Sequence, residues 1–255
     1  MELSKRLKAI ADMVTPGNAV ADVGCDHGFV SIYLCRSHIA PKVYAMDVRP
    51  GPLERAKEHI QAGGFCDYIE TRLSDGVEAL CPGEADTLIC AGMGGRLMMK
   101  ILSEGEGKIR LMKELILQPQ SELALFRRYL REHGLHIVQE DMIKEEGKFY
   151  PVIKAVPQNT AGQAFLGEPG TLTEERRQRL EDAFGPFLLA AKNPVLQEYL
   201  RVLEQRNKKI LSEMDAGRDD RERQGQDVRQ KKESRRQEIE ACLADIAECL
   251  LLFEK

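Results

Sequence analysis

The stretch Ala19-Val20-Ala21-Asp22-Val23-Gly24-Cys25-Asp26-His27-Gly28 constrains the fold more than any other part of the chain. It reads as a short buried strand that enters a glycine-bearing turn and then a helix over residues 29–36. Val20 and Val23 supply β-branched packing, while Gly24 and Gly28 allow backbone geometries that a Cβ would forbid. A strand, a glycine turn and a helix in this order bring backbone N–H groups up to a nucleotide-like ligand.

The pattern then repeats. Residues 42–46 read as a second strand ending at Asp47, and Pro50-Gly51-Pro52 opens a helix to about residue 62. A third strand, 68–73, ends in Ser74-Asp75-Gly76; a fourth, 85–91, is followed at once by Gly92-Met93-Gly94-Gly95 and a helix over 96–102. After a polar, glycine-containing loop comes a fifth strand, 114–117, ending at Gln118-Pro119-Gln120. Ser121 is placed to cap the next helix, which runs through Arg131. Residues 135–142 and 149–156 read as a hairpin across Glu145-Glu146-Gly147. Ahead of the first strand, Leu3, Leu7, Ile10 and Val14 recur at helical spacing until Thr15-Pro16-Gly17-Asn18. Strands alternating with helices predict an α/β fold, a mostly parallel sheet with an antiparallel edge. Its ligand crevice lies at the carboxyl ends of the strands, where Asp22, Asp47, Asp75 and the Gly92 turn all fall.

Composition changes after Val156. Residues 157–171 hold two prolines and three glycines, and everything beyond is helical in pattern. The expected division is therefore a ligand-binding domain over 1–156, a linker over 157–172 and a helical domain over 173–255. A kink is expected at Gly185-Pro186 and a break at Pro194. The stripe Ile239, Leu243, Ile246, Leu250 can face Val195, Tyr199, Val202 and Ile210 in an antiparallel coiled-coil hairpin. The alternative is a helical cap folded onto the main domain.

A net charge of -4 gives no global attraction to nucleic acid or anionic lipid, so an RNA partner needs a local basic face. The seven cysteines are odd in number, scattered and without a C-x-x-C pair, which argues against a disulfide framework or zinc knuckle and for a reducing compartment. The first ten residues lack the apolar core of a signal peptide, and no apolar run approaches the roughly 20 residues of a membrane span. A cytoplasmic protein is expected.

Asp22-Val23-Gly24-Cys25-Asp26-His27-Gly28 departs from the dinucleotide pattern G-x-G-x-x-G and resembles the D-x-G-x-G-x-G loop of class I S-adenosylmethionine-dependent methyltransferases. Asp47, nineteen residues after Gly28, is placed to accept both ribose hydroxyls, and Ser74-Asp75 to read the adenine of the cofactor. With Leu3-Ser4-Lys5-Arg6-Leu7, Ala91-Gly92-Met93-Gly94-Gly95 and Gly147-Lys148-Phe149-Tyr150, the chain resembles the bacterial tRNA (adenine-22-N1)-methyltransferase family over nearly its whole length. The resemblance implies a Rossmann-like seven-stranded class I methyltransferase sheet with a C-terminal helical coiled-coil domain. It also implies methyl transfer from S-adenosylmethionine to N1 of a tRNA adenine in the D-arm region, leaving S-adenosylhomocysteine. No metal and no obligatory protein partner are expected.

On that basis the cofactor-binding candidates are Asp22, Gly24, Cys25, Asp26, His27, Gly28, Asp47, Val48, Ser74, Asp75, Gly76, Gly92, Met93 and Gly94. Arg6, Gly95, Arg96 and Tyr150 are the substrate-binding candidates, and Lys5, Lys100 and the charged 218–236 region further phosphate contacts. Asp26 occupies the place where the loop usually has its middle glycine, and is read either as the catalytic carboxylate or as a helix cap. His27 is read as orienting the loop. Phe149-Tyr150 either stack on the base or belong half to the core, and the 218–236 run either meets RNA or is solvated surface. The Asn/Asp-Pro-Pro-aromatic motif of many adenine methyltransferases is absent after the fourth strand. Two rival functions remain: a methyltransferase on another RNA or a small metabolite, and a cofactor-sensing adaptor without chemistry.

Overall fold

The computed structural model describes residues 2–157, 172–216 and 226–254. Residues 158–171 of the linker expected over 157–172, and residues 218–225 of the charged 218–236 region, thus lie outside the described residues. The strands are β1 (Val20–Val23), β2 (Val43–Asp47), β3 (Ile69–Leu73), β4 (Thr87–Met93), β5 (Glu114–Pro119), β6 (His136–Glu145) and β7 (Lys148–Val156). They form one sheet in the order β3-β2-β1-β4-β5-β7-β6. β1 to β5 run parallel, whereas β7 is antiparallel to both β5 and β6. The chain order reverses between β1 and β4, which opens a crevice over their carboxyl ends.

Alternation along the central strands feeds two cores. Leu88 and Cys90 of β4, with Leu115 and Leu117 of β5, face α4 (Gly95–Glu104) and α6 (Leu123–Glu132), contributing to a layer with Met98, Phe126 and Leu130. Ile89 and Ile116 turn the other way, toward α1 (Lys5–Asp12), α2 (Phe29–Arg36) and α3 (Pro50–Gly63), meeting Ile10, Leu34 and Ile60. This period of two, buried on both faces, is why these strands read as continuous apolar runs.

Three local expectations are corrected. β4 continues through Gly92 and Met93, because Gly92 takes φ 77° and absorbs a register shift against β5. The loop expected after α4 contains a one-turn helix, α5 (Glu106–Ile109). Ser121 does not cap α6: its N-cap is Glu122, in the left-handed region without a side-chain cap, and Ser121 Oγ instead accepts from Gly95 N at 3.3 Å.

Beyond the sheet lie α7 (Glu174–Phe184), α8 (Pro186–Ala190), α9 (Pro194–Ala216) and α10 (Gln226–Glu254), with the breaks at Gly185-Pro186 and before Pro194 as expected. Asn193 starts α9 by accepting from the backbone N–H of Val195 and Leu196. α9 and α10 are antiparallel, since Arg236 pairs with Asp215 and Ile246 and Cys249 pack in one core with Leu196 and Leu200. Val202, expected in the seam, is 45% exposed and lies off it. That third core also takes in Met142 of β6 and Phe149 of β7, so the hairpin's base rests on the sheet edge. Beneath it Arg127 of α6 pairs with Glu140 of β6 at 2.8 Å, with both side chains buried.

Candidate active site

A cavity of about 450 Å³ opens over the carboxyl ends of β1, β2 and β4, within the roughly 300–1,000 Å³ usual for small-molecule sites. Its floor is the loop after β1. Gly24 has φ 75°, where a residue with a side chain is strained, and a Cβ there would lie 2.2 Å from Met93 Cε and push that flexible thioether aside. Gly28 is the N-cap of α2 with φ 70°, and an added Cβ would press on Ala56 of α3 at 3.2 Å. Asp26, where a glycine is usual, has φ 49°; aspartate is among the few residues with a side chain that visit this region readily. The α2 N-terminus has no side-chain cap, so the helix-cap alternative for Asp26 is set aside.

Two buried carboxylates stand on either side of the loop. Asp22, at the end of β1, accepts a hydrogen bond from Ser31 Oγ at 2.6 Å. Burial raises its pKa, the Ser31 bond opposes this, and the neighbouring Asp47 adds to it; the net value is about 6. Asp47, at the tip of β2, accepts from Arg49 N at 2.9 Å and lines the cavity. Asp26 is exposed and lies 3.6 Å from Arg55 and 3.5 Å from His27 Nε2. His27 in turn stacks on Phe29 and His59, with ring centroids 5.2 and 5.8 Å away, which supports its reading as a loop-orienting residue. Ser74 Oγ is spent within its own turn, donating to Gly76 O and accepting from Ala79 N, whereas Asp75 is exposed and 3.6 Å from Lys100.

Of the expected cofactor-binding residues, Asp22, Gly24, Cys25, Asp26, His27, Asp47, Val48, Ser74, Asp75, Gly76, Gly92 and Met93 line this cavity together with Arg6. Gly28 acts from behind through helix packing, and Gly94 precedes α4 as its N-cap. Gly95 is packing rather than lining, because a Cβ there would meet Ser121 O at 2.5 Å. Arg96 points to solvent and pairs with Glu122 at 3.2 Å. Tyr150 is half-buried under Arg6, whose guanidinium carbon is 5.3 Å from its ring centroid. The neighbouring Phe149 packs on Tyr199 of α9, so one aromatic of the pair is core and the other lies against Arg6, outside the cavity lining. Cys25 and Cys90 are buried; burial pushes the Cys90 thiol up to about 12, which leaves it no nucleophilic thiolate.

Several lining residues escaped the sequence: Phe29, Arg49, Leu97, Ile101 and Gln120. The signal for Gln120 was present, since Gln118-Pro119-Gln120 ends a parallel strand beside the switch point. Arg6 Nη1 donates to Gln118 Oε1 at 3.0 Å, a bond across 112 residues that no local pattern announces.

A parallel sheet with an antiparallel β7 inserted between β5 and β6, and an acid-bearing glycine crevice at its switch point, defines a Rossmann-like methyltransferase. A methyltransferase-domain family model matches residues 3–153. The Bacillus subtilis tRNA (adenine(22)-N(1))-methyltransferase is 32% identical over 197 residues, 76% of this chain and 78% of the relative. The chain belongs to the tRNA (adenine(22)-N(1))-methyltransferase family. The solved structure of the B. subtilis m1A22 tRNA methyltransferase superposes with a TM-score of 0.80 at 27% identity, covering 98% of this chain and 99% of that one. A Streptococcus pneumoniae protein described as a candidate tRNA (m1A22) methyltransferase, solved in complex with S-adenosyl-L-methionine, gives 0.78 at 30% identity over 98% and 100%. No helix among the described residues is long and apolar enough to cross a membrane.

Proposed function

We propose that this chain methylates N1 of adenine 22 in tRNA, in the cytoplasm, using S-adenosylmethionine. The observation that carries the proposal is the pairing of buried Asp22 and Asp47 on either side of the Gly24 turn, in a cavity that Arg6 also reaches. The residues fit the cofactor: a cradle that a Cβ would fill, one buried carboxylate for an ammonium group and one for a diol. When bound, the cofactor supplies the electrophilic methyl. Asp22 receives its ammonium, and Asp47 accepts from the ribose hydroxyls, with Val48 beside it against the adenine. Asp75 accepts from the exocyclic amine, while Ser74 holds the turn that presents it.

Neutral adenine N1 carries its own lone pair, so the protein's work is alignment and charge stabilisation. Methylation leaves the ring cationic, and Asp26, exposed at the cavity, is the carboxylate assigned to stabilise that charge or accept the amine proton. The main-chain carbonyls of Gly92 and Met93 can accept from the target amine, in the place where other adenine methyltransferases use a side chain. Since N1 is on the Watson–Crick edge, the target base must leave its pair before reaction. In this proposal residues 1–156 form the catalytic domain, and the helices after residue 172 extend the surface for tRNA.

Mass-spectrometric mapping of nucleosides on unmodified tRNA, after incubation with labelled cofactor, tests the reading. One N1-methyladenosine at position 22 is expected; methylation elsewhere, or of a metabolite only, overturns the substrate. Cofactor binding without transfer to any RNA indicates the adaptor. Asp26→Asn should lower the transfer rate more than cofactor affinity, and equal losses would make Asp26 a binding residue only.

A further inference from the structure

Arg6 is a half-buried cation in the cavity wall with no acidic partner among the described residues. Two neutral groups hold its guanidinium instead. Nη1 donates to Gln118 Oε1 at 3.0 Å, and the guanidinium carbon lies 5.3 Å from the Tyr150 ring centroid. Gln118 is fully buried at the tip of β5, so the fork is fixed by an amide that water does not replace. The other two basic residues of the lining differ: Arg49 is 72% exposed and 3.8 Å from Asp47, and His27 Nε2 is 3.5 Å from Asp26. Taking a cation out of water without a counter-charge is costly, so a guanidinium oriented in this way and left uncompensated points to an anion that arrives with a ligand. Its remaining N–H groups suit a carboxylate, which accepts two parallel bonds from one fork.

We propose that Arg6 binds the α-carboxylate of S-adenosylmethionine and thereby selects the intact amino-acid cofactor over its decarboxylated form. This rests on the cofactor assignments above, in which Asp47 takes the ribose diol and Asp22 the ammonium. Position along the sheet supports it. β2, β1 and β4 lie side by side in that order, Asp47 ends β2 and Asp22 lies near the end of β1. A cofactor running from diol to ammonium therefore crosses from β2 to β1 and has its far end over β4. The carboxylate shares a carbon with the ammonium, so it comes to that end. Arg6 Nη1 is there, 3.5 Å from where a Cβ on Gly92 of β4 would sit, and the missing side chain leaves the approach open. Arg49 stands at the diol end, beside Asp47. Arg6 thus passes from the substrate-binding to the cofactor-binding residues. α1 and β1 then grip the two charges of one zwitterion, which fixes the direction in which the sulfonium methyl points.

Calorimetric titration of the full-length protein with S-adenosylmethionine and with decarboxylated S-adenosylmethionine tests this, in wild type and in Arg6→Met. Both ligands keep the adenosine, the sulfonium and a cationic nitrogen. Wild type should bind the decarboxylated form about ten- to a hundredfold more weakly, the worth of a charge-assisted pair. Arg6→Met should lose a similar factor on S-adenosylmethionine and bind the two ligands about equally. Arg6→Lys, which keeps a charge but not the fork, should retain part of the preference. The proposal is overturned if Arg6→Met keeps the wild-type affinity for S-adenosylmethionine, or the wild-type preference between the ligands. A loss confined to tRNA affinity, measured by filter binding without cofactor, also overturns it and makes Arg6 a phosphate contact. Should Arg6→Met fail to fold, Arg6→Lys and the wild-type comparison decide: a preference undiminished in Arg6→Lys, or equal binding of both ligands by wild type, sinks the idea. A wild type that binds neither ligand would instead overturn the cofactor assignments on which this one rests.

Discussion

The hydroxyl of Ser31, the third residue of α2, donates to Asp22 at the end of β1 across 2.6 Å. It is the counterweight to burial and to the nearby Asp47, which together lift the Asp22 carboxyl to about 6. A carboxylate whose folded-state pKa is raised favours the folded state below its ordinary value of 3.8, and that contribution is lost as pH rises through about 6. Cofactor capture runs the other way, because an ammonium group needs the ionised form. S-adenosylmethionine affinity should therefore hold from pH 8 to about 6.5 and then fall, approaching tenfold per pH unit well below about 6. Calorimetric titration from pH 8 to pH 5 checks this, and Ser31→Ala should move the fall to higher pH. An affinity that stays flat in wild type to pH 5 would remove Asp22 from the ammonium site.

Gly24→Ala should cut cofactor affinity at least about tenfold, since a residue with a side chain is strained in the left-handed region. Part of the loss is steric, because the new Cβ would lie 2.2 Å from Met93 Cε. Met93→Ala in the same protein removes that clash but leaves φ at 75°, so it should restore only part of the affinity. Full recovery in the double variant would mean that the thioether, rather than the backbone, makes glycine necessary.

The parts of this site that sequence made legible are those coded locally. Asp22 and Asp47 each end a short apolar run, Asp75 follows the end of the third expected strand, and the strand rule places such tips together without knowledge of the packing. The Gly92 turn was legible as a turn but not as a bulge inside β4, because a register shift belongs to the pairing with β5 and not to β4 itself. Ser121 looked like a cap because its type and position suit one; its hydroxyl was taken by Gly95 of a different helix. Val202 fitted an apolar stripe by spacing, yet which side of a helix is buried depends on how the partner is rolled against it. Arg6–Gln118 and Arg127–Glu140 bring together residues on different elements, so no window of sequence contains them.

Arg127 ties the helical segment to the sheet. Besides the Glu140 pair, its guanidinium donates to the carbonyls of Asp182 and Ala183 at the end of α7, while Glu140 accepts from Phe187 N at the start of α8. Arg131 and Arg128 add ion pairs to Asp182. Removing one partner of a buried pair leaves an uncompensated charge, so Arg127→Ala should destabilise the protein by about 3–5 kcal/mol. Arg127→Met with Glu140→Gln should recover part of that. If the helices carry tRNA contacts, the double variant should bind tRNA more weakly while binding S-adenosylmethionine normally, as measured by filter binding and calorimetry. Unchanged tRNA affinity would place the RNA surface elsewhere.

The opposite end of the sheet offers a control in which stability and chemistry separate. Glu114 begins β5, far along the strand from the cavity, and is buried under Thr15, Thr87 and Lys154. Burial pushes its pKa up, but the Lys154 ammonium at 2.7 Å, two bonds from Thr15 and one from Thr87 outweigh it, so the net shift is downward from 4.5. With a lowered folded-state pKa, its contribution to stability is present above 4.5 and is lost as pH falls through the folded value. Glu114→Gln keeps an acceptor for the threonines but strips Lys154 of its counter-charge, and should cost about 3 kcal/mol near neutral pH. That cost should shrink as pH falls below 4.5, where the unfolded chain's carboxyl takes up a proton before the folded one does. Urea unfolding at pH 7 and pH 4 measures the difference, and kcat on tRNA at 25 °C should match wild type because the partners of Glu114, namely Thr15, Thr87 and Lys154, are not among the residues lining the cavity. A drop in kcat at full folding would mean that the two ends of β5 communicate.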